Sequence, residues 1–427
     1  MKLHNELTAT EALSEMDAGT LTAERLLRAC FDRIDAREDV VGAFIHLDRD
    51  SALEMARRID QSGRKGPMGG IPFAVKDIID THDMPTAYGS RIYAGHQPAA
   101  DASCVALTRA AGGILVGKAV STEFANFFPG KTANPIDPAR TPGGSSSGSA
   151  AAVADCMVPL SLGTQTTQST IRPAAFCGIY AYLPSQGDFR CSGVREAAGS
   201  FDRLGPMARS IEDLMLFRDV LLRIKPRPAG PVEDKAPKIG FCRTTLWDQM
   251  EPCMRAVMEE AVARLERAGA QITDITLPAS FDGFSEAHRK VSSFEFVRNF
   301  AHEITHHWDE ISEALRNGRI RHGLETDFEE YRAARRYLAQ SRALIPEIFA
   351  DVDVLITASA MGEAPLGLHA TGSAAIGEIF TPLYLPCVSI PCGVGPNGMP
   401  LGLQVLAAAD DDARLLAVSR WVDRHLN

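Results

Sequence analysis

The patterning of this chain predicts an α/β fold, a sheet with helices on its faces. Two observations carry that reading. Short apolar runs entered by glycine or proline alternate with helical stretches through the first half, and the alternation resumes beyond a proline-rich stretch at 225–237. Composition agrees: the 427 residues are 45% hydrophobic and 23% charged, the balance of a globular protein long enough to bury a large core.

Taken in order, residues 8–62 predict two or three amphipathic helices. Thr8 and Thr10 offer N-caps, and Leu26, Leu27, Cys30 and Ile34 fall at helical spacing. The run 71–75 is entered by Gly69-Gly70 and Pro72 and predicts a buried strand. A helix at 102–111, a strand at 113–116 and the start of another element at 122–128 follow. The stretch 149–155 predicts a small-residue helix, and 157–162 and 179–183 predict strands. KPRPAGPVEDKAP at 225–237 carries four prolines and reads as an insertion within one domain spanning 1–427. It separates N-terminal helices (1–65) and a core segment (66–224) from a helical region with C-terminal strands (238–427). Beyond it a strand is predicted at 238–242, a long helix at 252–268 and a charged helical region at 286–348. Strands at 352–356, 387–391 and 401–405 and a closing helix at 412–426 complete the pattern.

Charge and cysteines exclude several classes. A net charge of −10, with no Lys/Arg-rich run, argues against a nucleic-acid surface. Nine scattered cysteines without a CxxC pair read as reduced thiols of a cytoplasmic protein. The polar, acidic start MKLHNELTATEALSEMD is no secretory signal, and the apolar runs are too short to span a bilayer.

Three islands carry the chemistry: VKD at 75–77, TPGGSSSGSAAAVA at 141–154 and GTQTTQSTIRPA at 163–174. A flexible linker would explain the Ser/Gly run, but Arg140-Thr141-Pro142 precedes it and an Ala/Val helix follows at once. A phosphate-binding loop would need GK[ST] at the helix start, which is missing. A serine hydroxyl is a weak nucleophile and needs a base within hydrogen-bond reach. No histidine lies in or beside the serine islands, whereas Lys76 follows a buried strand, where desolvation favours the neutral amine. Lowering a lysine from about 10.4 to about 7–8 costs the charged form roughly 4 kcal/mol.

The islands, together with GGIPFAVKDIID at 69–80, NPIDPARTPGG before the serine run, FCGIYAYLPSQG, SFDRLGPMARSIEDL, DVLITASAMGEAP and PCVSIPCGVGPNGMPLGLQVLA, resemble the amidase signature family over nearly the whole chain. That resemblance implies an amidase-signature fold with a large mixed central sheet covered by helices on both faces. It implies an amidohydrolase cleaving the C–N bond of a small carboxamide, or a urea- or carbamate-like compound, through an acyl-serine. Lys76, Ser145 in a cis peptide and Ser169 then match the triad, and the backbone N–H groups of Thr166, Thr167, Gln168 and Ser169 the oxyanion hole. It implies no metal or organic cofactor, a small-molecule amide as partner and a homodimer. Departures are visible: Thr167 and Gln168 replace two glycines, Gln165 stands where many members carry Asp, Ser147 replaces a frequent Gly and Leu183 a frequent Lys. At φ > 0 a β-branched Thr167 would be an outlier, so either the loop has ordinary dihedrals or the oxyanion hole is reshaped.

Other readings compete. The family also serves as the glutaminase (A-type) subunit of a tRNA-dependent amidotransferase, and noncatalytic members are a further alternative. His302, Glu303 and His306 match HExxH, with Glu325 downstream, a zinc-peptidase pattern on what otherwise reads as a charged surface helix. Phe127, Phe128, Gln168, Tyr180, Phe380 and Tyr384 are candidates for an acyl pocket, core packing being the alternative for the aromatics. Asp77 reads as orienting a loop or assisting catalysis, Arg172 as a salt bridge or a carboxylate receptor, and Cys177 as a small buried residue.

Overall fold

A computed structural model describes residues 2–126, 128–226, 230, 232 and 235–427. Phe127 and part of the 225–237 stretch therefore lie outside the described residues. The described strands form one 11-stranded sheet in the order β1-β3-β2-β4-β6-β5-β10-β11-β9-β7-β8. They are β1 (Phe44–Leu47), β2 (Pro72–Lys76), β3 (Ile114–Ala119), β4 (Leu160–Gln165), β5 (Tyr180–Leu183) and β6 (Arg203–Ala208). Beyond the proline-rich stretch come β7 (Lys238–Cys242), β8 (Gln271–Ile275), β9 (Val354–Ala358), β10 (Cys387–Val394) and β11 (Pro400–Leu406). β2 runs parallel to β3 and β4, and β7 parallel to β8 and β9, while the pairs between these groups are antiparallel. The sheet is mixed, as the resemblance implies.

Central strands β2, β3, β4, β6 and β9 are buried along their whole length. Continuous apolar runs are what strands covered on both faces require. Three strands escape the sequence pattern. Edge strand β1 is only four residues long and is interrupted by His46, and β8 at the other edge is largely exposed and mostly polar. β6 is central but contains Gly205-Pro206, which reads as a turn. The element predicted at 122–128 is only a short 3₁₀ turn, Glu123–Ala125, with Phe124 and Ala125 both left-handed.

The helices of 8–62 are Ala9–Asp17, Ala23–Val41 and Arg49–Ser62, capped by the side chains of Thr8, Thr22 and Asp48. The helix Ser147–Ala154 packs beside β4 and is buried along Ser147–Val153. Its small residues are a steric requirement: a Cβ on Gly148 would meet the Ala43 carbonyl at 2.2 Å and the Val120 amide nitrogen at 2.4 Å. Helices Phe284–Asn299 and Phe328–Arg342 pack on each other, and Asp412–Leu426 closes against β10. Among the described residues no helix is long and apolar enough to cross a membrane.

This topology positions the site. β2 and β4 are parallel neighbours, so Lys76 and Gln165 end their strands on the same edge of the sheet. In α/β sheets the carboxyl ends of parallel strands are where ligands are held.

Candidate active site at the ends of β2 and β4

Lys76 is fully buried, and its Nζ donates to Ser145 Oγ at 2.7 Å and to Thr164 Oγ1 at 2.8 Å. Burial pushes its pKa down to about 7, against a smaller opposing pull from Asp202. The Gly144–Ser145 peptide is cis. One residue on, the Ser146 amide donates to the Ser169 carbonyl at 3.3 Å, and the Ser146 hydroxyl bonds the Thr164 carbonyl and amide, each at 3.2 Å. The three islands thus meet through hydrogen bonds that leave the half-buried Ser169 beside the serine run.

The loop 166–169 is held from behind by its carbonyls. His288 Nε2 donates to the Thr166 carbonyl at 3.0 Å, and Thr381 Oγ1 to the Thr167 carbonyl at 2.5 Å. The Thr166 hydroxyl donates to Asp202 Oδ1 at 2.5 Å, and Asp202 Oδ2 accepts from the amides of Ala197 and Ala198. Gln165 Oε1 accepts from the amides of Thr170 and Ile171 at 3.0 and 3.2 Å, so a neutral amide here does what a carboxylate acceptor could do. Among the described residues the N–H groups of Thr166, Thr167, Gln168 and Ser169 donate to no protein acceptor. Thr167 and Gln168 are not left-handed, so the loop keeps ordinary dihedrals without the two glycines. The adjustment is made across the interface: a Cβ on Gly377 would meet the Thr167 carbonyl oxygen at 2.3 Å and Gln168 Cβ at 2.6 Å.

Arg172 forms no salt bridge among the described residues. Its guanidinium donates to the carbonyls of Gly372 at 2.7 Å and Gly144 at 2.5 Å, and to Thr371 Oγ1 at 3.1 Å, pinning the serine run to the 371–372 loop. Asp77 is buried, which pushes its carboxyl up to about 6, and it accepts from the Ala87 and Gly89 amides and orients a loop. Cys177 is buried, with Sγ near the Pro142 carbonyl.

The pocket candidates scatter. Gln168 is buried, with Nε2 on the Ser359 carbonyl at 2.7 Å and Oε1 without a partner among the described residues. Phe380 is buried on the helix Ala375–Phe380, whose Gly377 touches the loop. Phe128 is 51% exposed. Tyr180 gives its hydroxyl to Asp423 on the closing helix, away from the serine loops. Tyr384, left-handed at φ 64°, carries the Arg342 guanidinium 4.0 Å from its ring centroid. The zinc pattern does not assemble. His302 and His306 are exposed while Glu303 is buried, its carboxylate bonded to Tyr93 and Arg195.

Sequence reasoning missed Asp202, His288, Thr381 and Arg319, each remote in sequence from the serines. His288 is buried, stacked on Phe201, and pushed down to about 4 by that burial, so it is neutral. Arg319 is buried in a kinked segment at Gly318, close enough to Asp202 and Glu378 to feel their charge, and bonds no acceptor among the described residues. Its burial leaves no signal in the sequence, where an arginine reads as a surface residue.

The chain matches the family described as Amidase over residues 25–416. It is 35% identical to the A-type subunit of the glutamyl-tRNA(Gln) amidotransferase of Chloroflexus aurantiacus over 470 residues, covering 98% of this chain and 96% of that protein. Among solved structures it resembles an amidase (TM-score 0.90, 27% identity, 99% of this chain and 100% of that one). It also resembles the peptide amidase of Stenotrophomonas maltophilia (TM-score 0.83, 26% identity, 99% and 97%).

Proposed function

The chain belongs to the amidase family, and we propose that it hydrolyses a small carboxamide by acylating Ser169, with Lys76 as base and Ser145 as proton relay. The observation that carries this is the buried Lys76 Nζ–Ser145 Oγ hydrogen bond at 2.7 Å. A lysine held near neutrality can take a proton through Ser145 as Ser169 Oγ attacks the carbonyl carbon. The N–H groups at 166–169 receive the oxyanion, each such donor contributing about 10²–10³ in rate. The tetrahedral intermediate expels the amine, which takes the proton held by Lys76 and Ser145. Water then attacks the acyl-serine, returning its proton by the same route and releasing the acid. Urea- and carbamate-like compounds fit the same steps.

A second reading, a glutaminase component of a tRNA-dependent amidotransferase, is favoured by the 35% identity to the Chloroflexus protein, which covers 98% of this chain and 96% of that one. Arg319 supports it too: a buried guanidinium without an acceptor among the described residues suits a carboxamide whose other end is a carboxylate, as in glutamine.

The test begins with a fluorophosphonate probe and mass spectrometry. The expected adduct is on Ser169 and is lost in Lys76→Ala; no adduct overturns the nucleophile assignment. Ammonia release from glutamine, against a panel of neutral amides, then separates the readings. Turnover of neutral amides by the chain alone favours the hydrolase. Glutamine turnover that needs copurifying proteins and tRNA favours the amidotransferase component.

A further inference from the structure

The helix Phe328–Arg342 has two unlike faces. Tyr331, Ala334, Leu338 and Ser341 are buried. Arg332, Arg335, Arg336 and Arg342 recur at intervals of one, three and six residues and share a side, lining a concavity of about 320 Å³ together with Ser200 and Tyr384. Like charges at helical spacing repel, and this chain is acidic overall, so composition does not explain the cluster.

Protein carboxylates hardly answer it. Arg332 approaches Glu329 only to 3.7 Å. Arg335 donates to the Tyr331 hydroxyl at 3.2 Å, and Arg342 to the Pro382 carbonyl at 2.8 Å while lying over the Tyr384 ring. Exposed Arg336 has no hydrogen-bond or ion-pair partner among the described residues. The carboxylate nearest the concavity, Glu295, is taken up by the Ser200 amide and hydroxyl and by the Tyr331 hydroxyl and bonds no arginine among the described residues, and Glu330 accepts from Lys290.

We propose that this concavity binds a small-molecule anion of the phosphate type, held by Arg335, Arg336 and Arg342 beside the Tyr384 ring. Guanidinium forks match oxyanions bidentately, and three of them call for a dianion with several acceptor oxygens rather than a lone carboxylate. A volume of about 320 Å³ suits a small ligand. The site is joined to the serine loop without being part of it. Arg342 holds Pro382, next to the Thr381 that holds the Thr167 carbonyl, and Phe201 in the concavity stacks on His288.

Calorimetric titration of the full chain at physiological salt tests this, with inorganic phosphate, phenyl phosphate and benzoate as probes. Saturable one-to-one phosphate binding is expected, at least tenfold tighter than benzoate. Arg335→Gln/Arg336→Gln should weaken it at least tenfold, with unchanged circular dichroism and Tm. Should that pair fail to fold, Arg336→Gln at its exposed position gives the same reading. Absence of saturable phosphate binding, equal affinity in the variants, benzoate binding as tightly, or retention on heparin alone would overturn the proposal.

Discussion

At the scale of single residues, Lys76 is the base of the proposed mechanism. Its base form is the neutral amine, and burial brings its pKa to about 7. We therefore expect kcat/KM to rise with pH through about 7 and level off above about 8. A flat profile from about pH 6 to 9 would remove Lys76 as the base. The same depression has a stability consequence. Between about 7 and the ordinary lysine value the unfolded chain holds a proton that the folded chain has lost. Lys76 thus makes folding more favourable as pH rises through that window. Ser169→Ala, Lys76→Ala and Ser145→Ala should each lower kcat by about 10³-fold or more, because members of a relay act as a unit. A near-normal rate for Ser145→Ala in steady-state kinetics would break the relay.

At the scale of elements, the loop 166–169 is positioned by its neighbours. Gly377→Ala inserts a methyl against the Thr167 carbonyl and Gln168 Cβ, where no flexible chain end can yield. Displacing the loop by about 1 Å should cost about 10²-fold in kcat with KM less affected; an unchanged kcat would show that loop position matters little. Arg172→Lys keeps the charge but not the fork that reaches Gly144, Thr371 and Gly372 together. It should lower Tm and kcat together, checked by thermal unfolding and kinetics. Because Thr167 and Gln168 have ordinary dihedrals, Gln168→Gly is expected to change substrate preference more than kcat on a small amide. A comparable loss on every amide tested would contradict that.

At the scale of the whole molecule, the sheet crosses from strands before the 225–237 stretch to strands after it at the β5–β10 pairing. We propose that the chain unfolds as one cooperative unit, read as a single calorimetric transition whose van't Hoff and calorimetric enthalpies agree. Two separable transitions would place a domain boundary there. The sequence by itself determined the α/β class, because strands buried on both faces read mostly as short apolar runs and helices carry an apolar stripe. Its resemblance to the amidase signature family also pointed to Lys76, Ser145 and Ser169, on a strand end and two small-residue loops. It could not show β6 or the edge strands, where a Gly-Pro pair or solvent exposure erases the pattern. Nor could it show Asp202, His288, Arg319 and Thr381 around the serine loop, or that Gly377 makes room for Gln168. Hydrogen bonds and close contacts between residues scores of positions apart leave no periodicity in the chain, so only packing the sheet and its helices decided them.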